Sequence, residues 1–519
     1  MRITNPCLIG LALATCAGSS NALPQIFERT ILPLVTEAGD SPAQPGQLWL
    51  DGDELLVSAP FEDEILRFKR QIDDSWLQVG SIFPAWTSSS ILQLFGSEME
   101  IDGPRAAFAQ PQYFNGGVSI YERDSSGDWQ PKAILGPVSG SSGQFANHIA
   151  LSGDCVMVSD HSAGLGGIVH VAEETAPGIW GYTQQIEPAG GGVAFGRRGM
   201  VFAGGQVLVS DSSDDQFGTQ SGAVYVFDRS DAGPWSEVQK LTASDATALE
   251  SFGSSIAISG ETAVISAPFS DSLGNGSGAA YLFDRQADGS WVETQKLLPP
   301  DLEPGDRFGN DVSIRGELLL IAAEEAHDAG NDAGAVYVFQ RQFGSWVQIQ
   351  KILASDASNK ANFGHQLFLS SDRAVVTPIA DSTAYVFDPS LLASPAELSL
   401  ASGGAQSLAL QAGSERAGEL YLVVGSATGS VPGLSAAPIF LPLNWDAYSA
   451  LSLSQAGQGI FGGTVGFLDA QGAGAAQIGI PPGSNPALVG VELRHAFLTL
   501  TSAAELTFAS NATSLQLIP

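Results

Sequence analysis

A phenylalanine followed by a small residue recurs through most of this chain, at Phe95-Gly96, Phe145-Ala146, Phe195-Gly196, Phe252-Gly253, Phe308-Gly309 and Phe363-Gly364. Successive copies lie 50, 50, 57, 56 and 55 residues apart. A fixed period of this length restricts the fold to repeat architectures in which each unit buries its apolar face only against its neighbours. A further copy without Phe-Gly keeps Leu55-Leu56-Val57-Ser58-Ala59-Pro60, which brings the units to seven.

Each unit holds four short apolar segments separated by turn residues. In one copy these include Ile256-Ala257-Ile258, Ala263-Val264-Ile265-Ser266-Ala267-Pro268, Gly278-Ala279-Ala280-Tyr281-Leu282-Phe283 and Trp291-Val292-Glu293-Thr294-Gln295-Lys296-Leu297. They are rich in β-branched and aromatic residues and too short for helices. The first turn centres on Gly in Asp51-Gly52-Asp53, Ser259-Gly260-Glu261 and Arg315-Gly316-Glu317, as a hairpin needing positive φ requires. Four antiparallel strands repeated seven times predict a β-propeller, whose closure hides the sheet edges an open array exposes. The last unit stops after Ala384-Tyr385-Val386-Phe387-Asp388, without its fourth segment. Ile26 to Pro33 resembles the missing piece, Val292 to Pro299, so residues 24–33 are expected to supply the outer strand of the last blade.

The order Phe-Gly, Ser-Ala-Pro, Gly-Ala-Val-Tyr-Val-Phe resembles the FG-GAP repeat of integrin α-chain propellers and of secreted bacterial proteins. The resemblance covers roughly residues 24–395 and implies a seven-bladed ring used in adhesion or ligand binding. Calcium-binding members carry an Asp-x-Asp/Asn-x-Asp-Gly loop after Phe-Gly. Here the corresponding stretches are Ile258-Ser259-Gly260-Glu261, Gly204-Gly205-Gln206 and Ser370-Ser371-Asp372, too poor in carboxylates for a hard cation. Calcium is therefore not carried over, and no cofactor is expected.

The expected organisation is all-β. Residues 1–22 form a signal peptide, 23–396 a seven-bladed β-propeller and 397–519 a C-terminal β-sandwich. The first segment has Arg2, an apolar run from Cys7 to Ala14 and Ser20-Asn21-Ala22 as a cleavage site. A lipoprotein signal ending before Cys16 is the alternative. No run is long enough to span a bilayer as a helix. The C-terminal part has alternating segments such as Glu419 to Val424, Ala475 to Ile480 and Ala496 to Thr501, with turn clusters between them.

Charge narrows the function. The chain has 22 basic and 55 acidic residues and a net charge of −33, which argues against binding nucleic acid through clustered Lys and Arg. No nucleophile elbow, His-Glu-x-x-His or phosphate loop occurs, and no catalytic residue is singled out. The loops after the second strands carry carboxylates that the repeat places on one rim: Asp63, Asp160, Asp214, Asp215, Asp271, Glu325, Asp328 and Asp381. Solubility is one role for them; attraction of cations or a basic partner is the other. Asp160-His161 and His327-Asp328 lie on that rim, His148 and His365 follow the Phe-Gly position, and His170 lies in an apolar strand. Trp76, Trp129, Trp180, Trp235, Trp291 and Trp346 recur once per unit, where packing between blades is expected. Trp49, Trp86, Trp445 and Tyr113-Phe114 break the period and are freer for ligand contact. The expectation is an exported, monomeric, non-enzymatic protein of adhesion type that binds an extracellular protein or glycan. A propeller hydrolase or lyase acting on extracellular polysaccharide is the alternative, as is a structural component of the cell surface.

Overall fold

The computed structural model describes residues 28–33 and 46–518, except 72–75, 85–93, 112–115, 139–144, 161–165, 230–232, 343, 355–358, 371–372, 380–382, 388–390, 395–396, 413–415, 428–433, 437–438, 442, 444–445, 471, 503–505 and 510–512. Its first part is a succession of four-stranded antiparallel sheets: I (48–82), II (99–135), III (145–186), IV (200–241), V (256–297), VI (308–352) and VII (366–387 with Glu28–Pro33). In sheets I to VI the strands lie in chain order, so hairpin turns gather at one end and the loops after the second strands gather at the other.

Burial follows position in the sheet. The second strands are covered on both faces, and Glu54–Ala59 and Leu318–Ala323 are buried throughout. This is why they read as unbroken apolar runs rather than alternating ones. Each fully buried Leu or Ile there contributes roughly 1.5–3 kcal/mol. The fourth strands alternate instead: in Trp291–Leu297 only the two ends are buried.

Apolar clusters form between sheets. Leu56 and Ile65 of sheet I pack with Phe108 and Tyr121 of sheet II. Val264 and Leu282 of sheet V pack with Leu319 and Tyr337 of sheet VI, and Val57 and Leu66 of sheet I pack with Val375 and Val386 of sheet VII. The first strands of neighbouring sheets lie side by side in sequence, and that of sheet VII lies against that of sheet I. All six repeat tryptophans belong to these inter-sheet clusters. Each Phe of Phe-Gly is wholly buried; Phe308 meets the Tyr337 ring edge-on at 5.2 Å and Phe363 meets Tyr385 in the same way. Gly278 shows why its position is glycine. Its φ is +89°, and a Cβ there would stand 2.1 Å from the carbonyl oxygen of Phe308.

Sheet VII is completed from the other end of the chain. Glu28–Pro33 pairs antiparallel with Thr383–Phe387. Glu28 lies opposite Phe387, as Glu293 lies opposite Phe283, and both pairings carry a bulge at the next step. This register is one residue away from the match of Leu32-Pro33 with Leu298-Pro299 that similarity of the segment ends suggests. Residues 24–27 lie outside the described residues, as does the expected signal segment.

Two larger sheets and the two-stranded pair Leu434–Ala436 with Ile439–Leu441 follow among the described residues. Leu391–Ser394 pairs with Gly404–Gln411, which continues to Ala473–Ile480 and Phe461–Gly462. The other sheet joins Glu397–Ser399, Thr513–Ile518, Glu492–Leu500, Leu420–Ser426 and Val465–Phe467. Leu408, Leu410 and Ile478 of the first share one core with Tyr421, Val423, Phe497 and Leu515 of the second. The strand Leu391–Ser394 thus belongs with the C-terminal sheets, although it precedes residue 397. One helix, α1 (Ala447–Ser454), was not anticipated; Asp446 caps it, accepting the Ser449 N–H while the Ser449 hydroxyl accepts the Asp446 N–H.

Candidate functional site

The carboxylates of the loop end are tied into the fold. Asp63 stands at φ 56° after the turn Pro60–Glu62, and its Oδ1 accepts the Phe95 N–H at 3.1 Å. Asp215 accepts the Gln220 N–H at 2.8 Å, and Asp271 accepts the Gly276 N–H at 2.8 Å. Asp214 is buried and accepts from Lys240 Nζ at 2.9 and 2.8 Å and from the Tyr225 hydroxyl at 2.8 Å. Burial opposes its charge, but the Lys240 and Tyr225 hydrogen bonds hold the carboxyl below its ordinary range. Glu325 pairs with Arg307 at 2.9 Å, and Asp328 pairs with Lys351 at 2.5 Å. Asp160 is fully buried, with Oδ2 3.9 Å from His170 Nε2. Asp381 and His161 lie outside the described residues.

The rim is therefore a set of braced loops rather than a row of bare charges. A recurring group that was not anticipated does much of the bracing: Tyr of the third strand and Lys of the fourth hold one Asp. Tyr281 and Lys296 hold Asp245 at 2.9 and 2.7 Å, and Tyr337 and Lys351 hold Asp301 at 3.3 and 3.1 Å. The signal was present in the Gln-Lys pair near the end of the fourth strands of sheets IV, V and VI. Between the carboxylates the same end exposes Phe61, Phe217, Phe269 and Ile379.

Polar contacts also link neighbouring sheets. His148 Nδ1 lies 2.8 Å from Glu98 Oε1, and His365 Nδ1 lies 3.2 Å from Glu324 Oε2. Asp311 accepts from the Ser255 hydroxyl at 3.0 Å and from the Leu367 N–H at 2.8 Å, which joins three sheets. Burial pushes its carboxyl up to about 6. Glu100, half-buried and flanked by Glu98 and Asp102, is pushed up to about 8, chiefly by desolvation. His170 meets Gln185 Nε2 at 3.3 Å in its apolar surroundings. Among the described residues no group of three or more His, Cys, Asp or Glu is placed to hold a metal ion.

The hairpin end carries arginines. Arg123 lies over the rings of Trp49 and Trp129 at 5.3 and 4.6 Å and pairs with buried Glu54 at 2.7 Å. Trp49 is thus engaged within the protein. Trp86, Trp445 and Tyr113-Phe114 lie outside the described residues. Between sheets II and III this end opens into a cleft of about 580 Å³, lined by Arg105, Glu122, Lys132, Asp154, Glu174 and the Ala176-Pro177-Gly178 turn.

The FG-GAP repeat family model matches residues 235–283 and 291–339. The chain carries FG-GAP repeats. Each matched FG-GAP unit begins at the Trp that opens or immediately precedes a fourth strand and ends at a Phe of the next sheet's third strand. The repeat is thus phased with the fourth strand of one sheet first, and the fold is a β-propeller. No curated protein matches the sequence. Among solved structures, a protein from Lactobacillus plantarum is 14% identical with a TM-score of 0.43, over 62% of this chain and 87% of its own. A periplasmic gluconolactonase from Pseudomonas aeruginosa is 14% identical with a TM-score of 0.42, over 66% of this chain and 91% of its own. An extracellular domain from Bacteroides thetaiotaomicron is 9% identical with a TM-score of 0.42, over 94% of this chain and 59% of its own.

Proposed function

We propose that this chain is an exported, non-enzymatic binding protein of adhesion type, which presents a seven-bladed propeller to an extracellular protein or glycan. The propeller extends to the strand Thr383–Phe387, with the N-terminal strand closing its last blade, and the part from Leu391 onward makes a β-sandwich that caps or attaches it. The cycle of contacts between first strands supports the seven-bladed ring, and the core shared by the two C-terminal sheets supports the sandwich. No helix among the described residues is long and apolar enough to cross a membrane.

One observation carries the binding reading: the rim loops are fixed by bonds within the protein, Asp214 to Lys240 and Asp63 to Phe95 among them. A surface ordered before its ligand arrives avoids the entropy cost of ordering on binding. Full-length protein should show saturable retention on an array of glycans or surface proteins and leave the ligand chemically unchanged. Turnover on a polysaccharide panel would overturn the reading. Mass spectrometry of the exported protein should find Leu23 as the first residue.

A further inference from the structure

We propose that the cleft between sheets II and III is a saccharide-binding site for a neutral or amine-bearing sugar, held by Lys132, Asp154 and Glu122. The proposal rests on the binding reading above and assigns it a site. At about 580 Å³ the cleft falls within the usual range of small-molecule sites.

Arg105 forms the floor. Its Nε donates to Glu122 Oε1 at 3.0 Å, one terminal nitrogen donates to the Gly153 carbonyl at 3.0 Å and to Asp154, and the other donates to Glu174. Its guanidinium also lies over the Trp180 ring at 5.5 Å. This arginine is committed to fixing three carboxylates in place. Glu174 in turn accepts the Gly178 N–H at 2.5 Å, which holds the turn that forms one wall.

The groups left facing solvent define the ligand. Lys132 Nζ stands 3.8 Å from Glu122 Oε2, longer than a hydrogen bond, and its side chain is 44% exposed. Asp154, reached by Arg105 through one oxygen, is 74% exposed. Carboxylate acceptors therefore stand beside a single ammonium donor. A sugar hydroxyl both donates and accepts, so neighbouring hydroxyls fit a mixed array that a purely anionic or purely apolar ligand does not. Ala176 and Pro177 offer an apolar wall to the C–H face of a ring. Three carboxylates against two cations leave the site net negative, and the chain as a whole carries −33. That field opposes uronic and sulfated sugars.

Calorimetric titration of the full chain tests the assignment. The probes are neutral gluco-, galacto- and manno-oligosaccharides, deacetylated chito-oligosaccharides, oligogalacturonate and a basic peptide. Wild type is expected to bind a neutral or amino sugar, with at least tenfold weaker binding in both Lys132→Ala and Asp154→Asn and unchanged melting of each variant. Equal sugar binding by wild type and both variants would place the site elsewhere and leave the binding reading standing. Preference for the uronate or the peptide overturns the sugar chemistry. Absence of sugar binding with saturable capture of a surface protein overturns this proposal alone; no binding to either array overturns both readings.

Discussion

The Gln295 side chain clasps the backbone of Trp346 on the next sheet, donating to its carbonyl at 2.7 Å and accepting its N–H at 2.8 Å. The same pair of hydrogen bonds links Gln239 to Trp291 and Gln184 to Trp235. An amide side chain thus stands in for a strand, pairing the outer edges of sheets whose inner parts are held by apolar packing.

Gln295→Ala should destabilise the protein by about 1–3 kcal/mol, because it leaves a backbone donor and acceptor unpaired at Trp346. Gln295→Glu keeps the acceptor and loses the donor, so an intermediate loss is expected. Denaturant unfolding of the three proteins measures the order; equal stability of all three would mean that water replaces the clasp.

Glycines at two positions should behave differently. Gly260 has φ +59° and open space around its missing Cβ, so Gly260→Ala should cost about 1–2 kcal/mol of backbone strain. Gly278→Ala adds a clash 2.1 Å from the Phe308 carbonyl oxygen. It should cost several times more and sharply lower the soluble yield. Parallel expression and thermal melting of the two variants decide this.

Half-buried Asp311 and buried His495 give the chain opposite pH responses. The Asp311 carboxyl is raised from 3.8 to about 6, chiefly by burial, so its contribution is complete at low pH and is lost as pH rises through 6. His495 is lowered from 6.5 to about 3 by burial, so its contribution is complete above 6.5 and is lost as pH falls towards 3. Its Nε2 meets the Tyr448 hydroxyl at 2.8 Å, and its Nδ1 has no partner among the described residues. Stability of the C-terminal part should decline below pH 6.5, with a slope approaching 1.4 kcal/mol per pH unit. His495→Gln should flatten that limb, and Asp311→Asn should flatten the rise in stability of the propeller from pH 6 down to 4. Hydrogen exchange resolved by peptide across this range separates the two.

Removal of residues 24–33 should expose the edge at Thr383–Phe387. Exchange protection should fall first in sheet VII and then in its neighbours I and VI. Adding the peptide back in excess should restore part of it. Unchanged protection of Thr383–Phe387 in the truncated chain would show that this strand is not a brace.

Sheets and inter-sheet tryptophans were legible because the repeat samples each position several times, so Trp235, Trp291 and Trp346 announce one shared environment. The pairing of the N-terminal strand was legible in kind but not in register, since a slip of one residue leaves the composition unchanged while it reverses every side chain. The acidic loops could be placed on one end, but their partners could not: Lys240 and Lys351 reach Asp214 and Asp328 from strands whose outward face reads only as polar. The Arg105 cleft was invisible because its lining comes from strands and turns of two separate sheets, each ordinary by itself. Helix α1 was missed because Ala447–Ser454 is one short segment without a repeat to compare.

The strand Glu28–Pro33 is made before every other strand of sheets I to VII, yet its slot beside Thr383–Phe387 exists only after six other sheets have been synthesised. Closure is thus the longest-range contact of the ring and, by chain-entropy arguments, a slow step. Until then, the waiting strand is a candidate to invade the edge of any half-built sheet. The cell must either keep this segment occupied or let the ring assemble faster than mispairing.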